Sequence, residues 1–231
     1  MTTYVETPRD VKVRSFLEHH RGLQQFGQQD DDEVWGGRTA CTHTCWQLVT
    51  LLWTGKRLTL NQVNRRAGMP RNATGSTGRP RGMRISDQLR FVRAMDLPYV
   101  YKAGLSMDRI EELAKRGPIV YGTRYGSQPS WKGRRGAEPP YARKYGRTQF
   151  TGADNIRHAV LLGIVREVTS ASGQTIRTEY LRRDPNHGSP ARPERPPYDI
   201  INPRQARREY HDIQKVGGSL FAFVPRKGAN L

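Results

Sequence analysis

The sequence contains very little cysteine, with only Cys41 and Cys45 among its 231 residues. The two are spaced i, i+4, and no second Cys or His pair completes the ligand spacing of a zinc site. A disulfide between positions i and i+4 of a regular helix is sterically poor, so both thiols are predicted to be reduced. We therefore expect neither a disulfide nor a metal site, and no cofactor.

Long apolar runs are also missing. No stretch approaches the roughly 20 apolar residues that a membrane span needs. The first residues, Met1 to Glu6, have neither a basic region nor an apolar core, so no secretory signal is expected. Only 35% of the residues are apolar, which leaves a good part of the length for loops or an arm. The length fits one domain of ordinary size better than two.

Acidic residues are few relative to basic ones, 21 against 39, which gives a formal net charge of +18. Of the basic residues, 31 are Arg and 8 are Lys, a bias that a GC-rich genome produces without any function. The functional interpretation is an anionic partner, such as nucleic acid, a teichoic-type polymer or an acidic protein surface. Both interpretations stay open. No basic stripe with interleaved aromatic residues occurs, which argues against specific base recognition.

Helices are predicted before strands along the chain, which is typical of an α+β fold. The apolar pattern and the capping residues predict helices at 41–54, 59–68 (cap Thr59 or Asn61), 86–95 (cap Ser86) and 107–115 (cap Ser106). Strands are predicted at 98–101, 117–122, 158–167, 175–183 and 219–224. Residues 1–34 are interpreted as an N-terminal arm, and 35–231 as one domain with long loops at about 124–156 and 184–203.

Cys41 is marked by its position. It follows Gly36-Gly37-Arg38-Thr39-Ala40 and stands directly before an apolar helical run that begins at Trp46. The first turn of a buried helix is a place where the helix dipole stabilises a thiolate. Cys45 lies a full turn further along, and we interpret it as an inert buried residue.

His158 and Asp184 follow Cys41 in an order that points to nucleophilic chemistry. His158 opens the apolar run 159–165, and Asp184 closes the short run 179–183. A thiolate attacks a carbonyl, a histidine carries the proton, and a carboxylate or amide orients the imidazole. The structural alternatives are a small buried Cys41, a His158 bonded to a backbone carbonyl and an Asp184 that opens a turn. His43, His187 and His211 are interpreted as loop or surface histidines.

Five ordered segments, covering about residues 38–188, resemble the papain-like cysteine peptidases of the bacteriocin-leader-processing type. That family has a Cys-Gly-Pro-Thr/Ala segment before an apolar helix, then Gly-Lys and a short helix, a Leu-Pro-Tyr strand, a Gly-Pro-Ile/Val strand, a His strand and an Asp-Pro strand end. The matching segments here are Cys41-Thr42-His43-Thr44 with Gly55-Lys56, Leu89 to Tyr99, Gly117-Pro118-Ile119-Val120, His158-Ala159-Val160 and Asp184-Pro185.

The resemblance implies a papain-like fold in which N-terminal helices pack on a C-terminal antiparallel sheet. It also implies Cys41 as the nucleophile, His158 as the acid and base, and Asp184 as the orienting group, with Asn186 as a second candidate for that last role. The family places an oxyanion-stabilising Gln about six residues before the nucleophile, where this chain has Trp35. Gln29 is the candidate to replace it, through a longer loop.

The function expected from the resemblance is that of a thiol endopeptidase from a phage or a bacterium. Its substrate would be a peptide bond in cell-wall peptides (peptidoglycan) or in a protein precursor. A phage product would reside in the virion or in the host cytoplasm before release, next to other virion proteins, and its basic surface would hold anionic polymers. Two alternatives stay open. One is a catalytically degenerate papain-like domain with a structural role in a phage particle, and the other is a nucleic-acid-binding protein that relies on charge alone.

Overall fold

One antiparallel sheet of seven strands organises the described part of the chain. The computed structural model describes residues 3–5, 7–19, 41–70, 73, 82–125, 156–183, 199–204, 206–207, 218–229 and 231. The helices are α1 (Pro8–His19), α2 (Cys41–Thr54), α3 (Leu60–Arg66), α4 (Ile85–Ala94) and α5 (Met107–Ala114). The strands are β1 (Thr3–Val5), β2 (Tyr99–Leu105), β3 (Ile119–Tyr125), β4 (Ile156–Thr169), β5 (Thr175–Arg183), β6 (Asp199–Ile201) and β7 (Gly218–Pro225).

Strand β4 is the longest strand of this sheet, which has the order β2-β7-β3-β4-β5-β6. Its first half pairs with β3, its last three residues pair with β1, and β5 pairs along its other edge. The prediction of an α+β fold with an antiparallel sheet is confirmed. Two strands depart from the order of helices first and strands afterwards: β1 precedes every helix, and β2 precedes α5.

Both faces of the sheet are covered, and the alternation of side chains along each strand explains how. Val160 and Leu162 of β4 belong to one apolar cluster with the buried face of α5. Ala159 and Leu161 belong to a second cluster with α2, α3 and α4. A strand that is buried on both faces reads as a continuous apolar run, which is why residues 159–165 lack the polar alternation of a surface strand.

The helix starts follow local capping chemistry. Thr59 caps α3 in a capping box with Gln62, and the Ser106 hydroxyl accepts from the Arg109 N–H at the start of α5, as predicted. The predicted cap Ser86 is wrong, since it lies inside α4. There the carboxylate of Asp87 accepts from the backbone N–H of Arg84 at 2.8 Å, so the helix begins earlier. An acidic residue in the first turn supplied the cap that the sequence pattern assigned to a serine.

The first 19 residues contribute a strand and a helix to this fold. The ring of Tyr4 in β1 lies 3.8 Å from the guanidinium carbon of Arg166. Arg166 in turn donates two hydrogen bonds to the Glu179 carboxylate, at 2.9 and 3.1 Å, and Arg177 donates a third at 2.8 Å. Arg9 of α1 donates to the backbone carbonyls of Arg116 and Ala229. These contacts tie the N-terminal segment to the later strands of the chain.

Replacement of the buried Glu179 by Gln is expected to destabilise the fold by about 2 kcal/mol at pH 7, because Arg166 and Arg177 lose a charged acceptor. Burial alone would raise the pKa of Glu179, but hydrogen bonds from Arg177 and Arg166 outweigh it and hold the pKa below its ordinary 4.5. The ionised carboxylate therefore stabilises the fold above pH 4.5, and this contribution is lost as the pH falls through the lowered pKa. Urea unfolding at pH 7 and pH 3 measures both effects.

The matched control for this test is Glu112→Gln on the surface of α5, where an exposed carboxylate pairs with Arg109 and Arg116. It should change stability less, since water and salt screen exposed ion pairs. A wild type and a Glu179→Gln variant with equal stability at pH 7 would contradict the role given to this carboxylate.

Strand β6 falls inside the segment 184–203 that was expected to be a long loop. Its three residues pair with Tyr180, Leu181 and Arg182 of β5. The surrounding prolines hid this strand in the sequence, because proline clusters favour loops. Among the described residues, no helix is both long enough and apolar enough to cross a bilayer.

Candidate active site

The candidate nucleophile Cys41 is the first residue of α2, as the sequence predicts. Its side chain is 7% exposed, and Cys45, one turn further along, is 0% exposed. Both cysteines are free, and Cys45 is buried as expected. The N-terminal end of a helix carries partial positive charge, so this position is one where a thiolate is favoured.

Helix α2 occupies the centre of the fold, and its first ten residues are all buried. Its apolar side chains share a cluster with Val120 of β3 and with Ala159 and Leu161 of β4. Cys41 belongs to the same cluster. The sequence leads to this packing because Trp46, Leu48 and Val49 give α2 an apolar side too wide for a surface helix.

His158 lies in β4, where its backbone pairs with Thr123 of β3. The structure describes the backbone of His158, and its side chain lies outside the described residues. The register is irregular directly beside it, since Thr123 pairs with His158 whereas Arg124 pairs with Ile156. Such a bulge changes the direction in which neighbouring side chains point, and bulges are frequent beside active sites. Along β4, Ala159 belongs to the cluster that contains Cys41, whereas Val160 belongs to the cluster on the α5 side, so the regular alternation of the strand puts position 158 in phase with Val160.

The other predicted site residues, Asp184, Asn186 and Gln29, lie outside the described residues, as does Trp35. The described part of β5 ends at Arg183, which pairs with Leu161, three residues along β4 from His158. The strand order thus brings the ends of the two predicted catalytic strands side by side. The grouping of Cys41 with His158 and Asp184 stays a prediction.

Two buried arginines precede Asp184 and were not singled out as site residues from the sequence. Arg182 is 1% exposed and Arg183 is 4% exposed, although the sequence presents them as one of several basic pairs. A guanidinium nitrogen of Arg182 donates to the Tyr121 hydroxyl at 3.3 Å. Buried guanidinium groups are costly unless partners compensate them, so these two mark a region where anionic or polar groups are favoured. The signal in the sequence was their place directly after Tyr180 and Leu181 at the end of a predicted strand.

His43 is a second residue whose role the sequence did not reveal. It was expected on a loop or at the surface, but it is buried in the first turn of α2. Its Nε2 lies 3.5 Å from the Oδ1 of Asn64 in α3, and the Asn64 amide donates to the Pro70 carbonyl at 3.2 Å. The expectation was wrong because α2 is buried on all sides over its first ten residues, including position 43. This polar contact holds α3 against the start of α2.

The first turn of α2 also carries buried hydroxyl groups. Those of Thr42 and Thr44 have no hydrogen-bond partner in the part of the chain that the structure describes. Buried polar groups without partners are uncommon in folded proteins and often occur at functional sites. Among the described residues, no group of three or more His, Cys, Asp or Glu side chains could hold a metal ion.

No protein-family model matches the chain, and no curated protein matches it. These comparisons therefore add no relative to the resemblance between residues 38–188 and the papain-like peptidases. What points to a function is the position of Cys41 at the start of a buried helix that packs on β4.

Proposed function

We propose that the protein is a thiol endopeptidase of papain-like fold in which Cys41 attacks the peptide carbonyl. The observation that carries the proposal is the position of Cys41 as the first residue of a buried helix that packs on β4, the strand that contains His158. A helix start supplies the electrostatic environment of a reactive thiolate, and the neighbouring strand supplies the general base.

Each residue has a defined part in the proposed reaction. His158 takes the thiol proton of Cys41, the sulfur attacks the carbonyl carbon, and the C–N bond breaks as His158 gives that proton to the departing amine. Water then attacks the thioester while His158 accepts a proton from it, the C–S bond breaks, and the acid leaves with the Cys41 thiolate and protonated His158 restored. The backbone N–H of Cys41 and the side chain of Gln29 would donate to the oxyanion. The mechanism requires the imidazole on the α2 side of the sheet, whereas the regular alternation of β4 puts position 158 in phase with Val160 on the α5 side, so the irregular register beside His158 has to reverse this placement.

Asp184 would hold the His158 imidazole, with Asn186 as the alternative. Asp184 follows directly after the buried Arg182 and Arg183. Positive charge nearby favours the ionised form of a carboxylate, which is the form that orients an imidazole. The proposed substrates are cell-wall peptides or a protein precursor, and the net charge of +18 would keep the enzyme near anionic cell wall.

One observation favours a second candidate function, a degenerate papain-like domain that builds part of a phage particle. Cys41 is buried together with the whole first turn of α2, whereas a nucleophile must meet its substrate. Trp35 in place of the family's oxyanion Gln supports the same alternative, since loss of one oxyanion donor costs about 10²–10³ in rate.

Alkylation by iodoacetamide at pH 6 distinguishes the two candidates. An unactivated thiol with a pKa near 8.5 is only about 0.3% ionised at this pH, so an activated Cys41 should react about 10–100 times faster than Cys45. Peptide mapping by mass spectrometry measures both rates in the same sample. His158→Ala should slow the alkylation of Cys41 and leave Cys45 unchanged. Equal, slow rates at both thiols would favour the structural role.

A further inference from the structure

A basic cleft of about 600 Å³ lies beside the start of α1, and we call it the α1 cleft. It is lined by Thr7, Pro8, Arg9, Lys12, Lys115 and Leu231. Three of these six residues carry positive charge, and none of them has a carboxylate or an aromatic side chain. The nearest acidic residue of α1, Asp10, is buried and accepts from the Thr7 N–H at 3.0 Å, so it serves as the helix cap.

The α1 cleft and the candidate active site lie at opposite ends of β3. Lys115 and Arg116 come just before β3, whose first residue, Ile119, pairs with Leu162. His158 pairs with Thr123, towards the other end of the same strand. Four residues of antiparallel strand separate Ile119 from Thr123, which is about 13 Å. A ligand in the α1 cleft would therefore anchor the protein without occupying the site around Cys41.

The three cations are held in different ways. Arg9 donates to the carbonyls of Arg116 and Ala229, which fixes its guanidinium at the wall of the cleft. Lys115 lies 4.0 Å from the exposed carboxylate of Glu167, a separation at which the attraction is weak. Lys12 is exposed and makes no ion pair with any described residue. Lys12 and Lys115 thus remain available to an anion.

The lining of the cleft restricts the kind of anion. Proteins that bind single-stranded nucleic acid combine basic grooves with aromatic platforms for the bases, and the described lining residues include no aromatic side chain. A chain with regularly spaced phosphates and no bases fits this lining.

We infer that the α1 cleft binds a polyol-phosphate chain, the chemistry of teichoic-type wall polymers, through its phosphodiester groups. Lys12 and Lys115 neutralise successive phosphates as point charges, and Arg9 shapes the wall between them. The inference goes beyond the proposed peptidase, because binding here requires no chemistry at Cys41. It gives part of the large positive charge of the chain a specific location and a specific partner.

Titration of the full chain with poly(glycerol phosphate), by calorimetry at several salt concentrations, tests the inference. The double variant Lys12→Glu/Lys115→Glu should bind about tenfold more weakly or worse, and its slope of log K against log salt should fall by about 1.4. Lys56→Glu/Lys102→Glu is the matched control, since it changes two exposed lysines outside the cleft by the same charge. The control should keep most of the affinity.

Two results would overturn the inference. One is equal weakening of binding in the double variant and in its control, which would assign the polymer to general surface charge. The other is an equal dependence on Lys12 and Lys115 when duplex DNA or polyglutamate replaces the polymer. Thermal melting verifies that the variants are folded. If the double variant is unstable, Lys12→Ala is used instead, because it removes one lysine that has no ion-pair partner among the described residues. This variant should show a smaller loss of affinity for the polymer. Failure of this test leaves the peptidase proposal unaffected.

Discussion

The Cys41→Ala variant should lose peptide cleavage by a factor on the order of 10⁴–10⁶ while its fold stays intact. The loss is this large because removal of a nucleophile abolishes the covalent route and leaves only binding and oxyanion stabilisation. Release of amines from purified peptidoglycan, or cleavage of a precursor peptide, measures the rate. Only one sulfur atom is removed from a small side chain, so the change in packing is modest.

The matched control is Cys45→Ala, which deletes the same atom one turn further along α2. Cys45 is the more buried of the two, so this variant should cost as much stability as Cys41→Ala or more, yet keep its activity. Equal activity of Cys41→Ala and wild type would refute the peptidase. The same assay on Asp184→Ala and Asn186→Ala identifies the orienting group, since only the residue that holds His158 should produce a large loss.

Replacement of Trp46 by Ala should destabilise the protein by about 3–5 kcal/mol, a large part of the stability of an ordinary domain. Trp46 is fully buried, and its ring centroid lies 5.6, 5.7 and 5.2 Å from those of Phe91, Tyr99 and Phe223. Its indole N–H donates to Gln88 at 3.0 Å. The ring thus connects α2 to α4 and to two strands, and its removal opens a cavity between helices and sheet.

Trp53→Ala is the control for this prediction, because Trp53 lies on the same helix but is only partly buried. Among the described residues its one ring contact is edge-on with Tyr99, and it donates to the Tyr99 hydroxyl at 3.0 Å. Urea unfolding monitored by circular dichroism should show a clearly smaller loss for Trp53→Ala. Equal losses for the two variants would mean that Trp46 does not organise the core.

The strongest elements of the fold were predictable because their apolar periods are long and their caps are local. Helix α2 and strand β5 have the predicted bounds, and β4 extends the predicted strand by two residues at each end. The sequence pattern failed to predict an element where its start or its existence depends on an acidic cap or on a strand far away in the sequence. The cap of α4 is a carboxylate three residues from the position that needs it, and β6 exists through its pairing with β5.

The candidate site was predictable only in part. The place of Cys41 at a helix start follows from the sequence, because the apolar run behind it has a clear beginning. The burial of His43 against Asn64, and of Arg182 and Arg183 at the end of β5, depends on how separate elements pack. Contacts between residues far apart in sequence leave little trace in the local pattern of either segment.

The N-terminal strand has a consequence for the synthesis of the protein. β1 pairs with residues 167–169 of β4, and the Thr3 and Thr169 hydroxyls that meet there are 166 positions apart. At about 5–20 residues per second, the ribosome exposes β1 roughly 10–30 s before its partner strand exists. The interval is longer for Arg9, because one acceptor of its hydrogen bonds is the carbonyl of Ala229, which is synthesised after β4. β1 is therefore made well before the strand that it pairs with, and its edge stays free until β4 has been made.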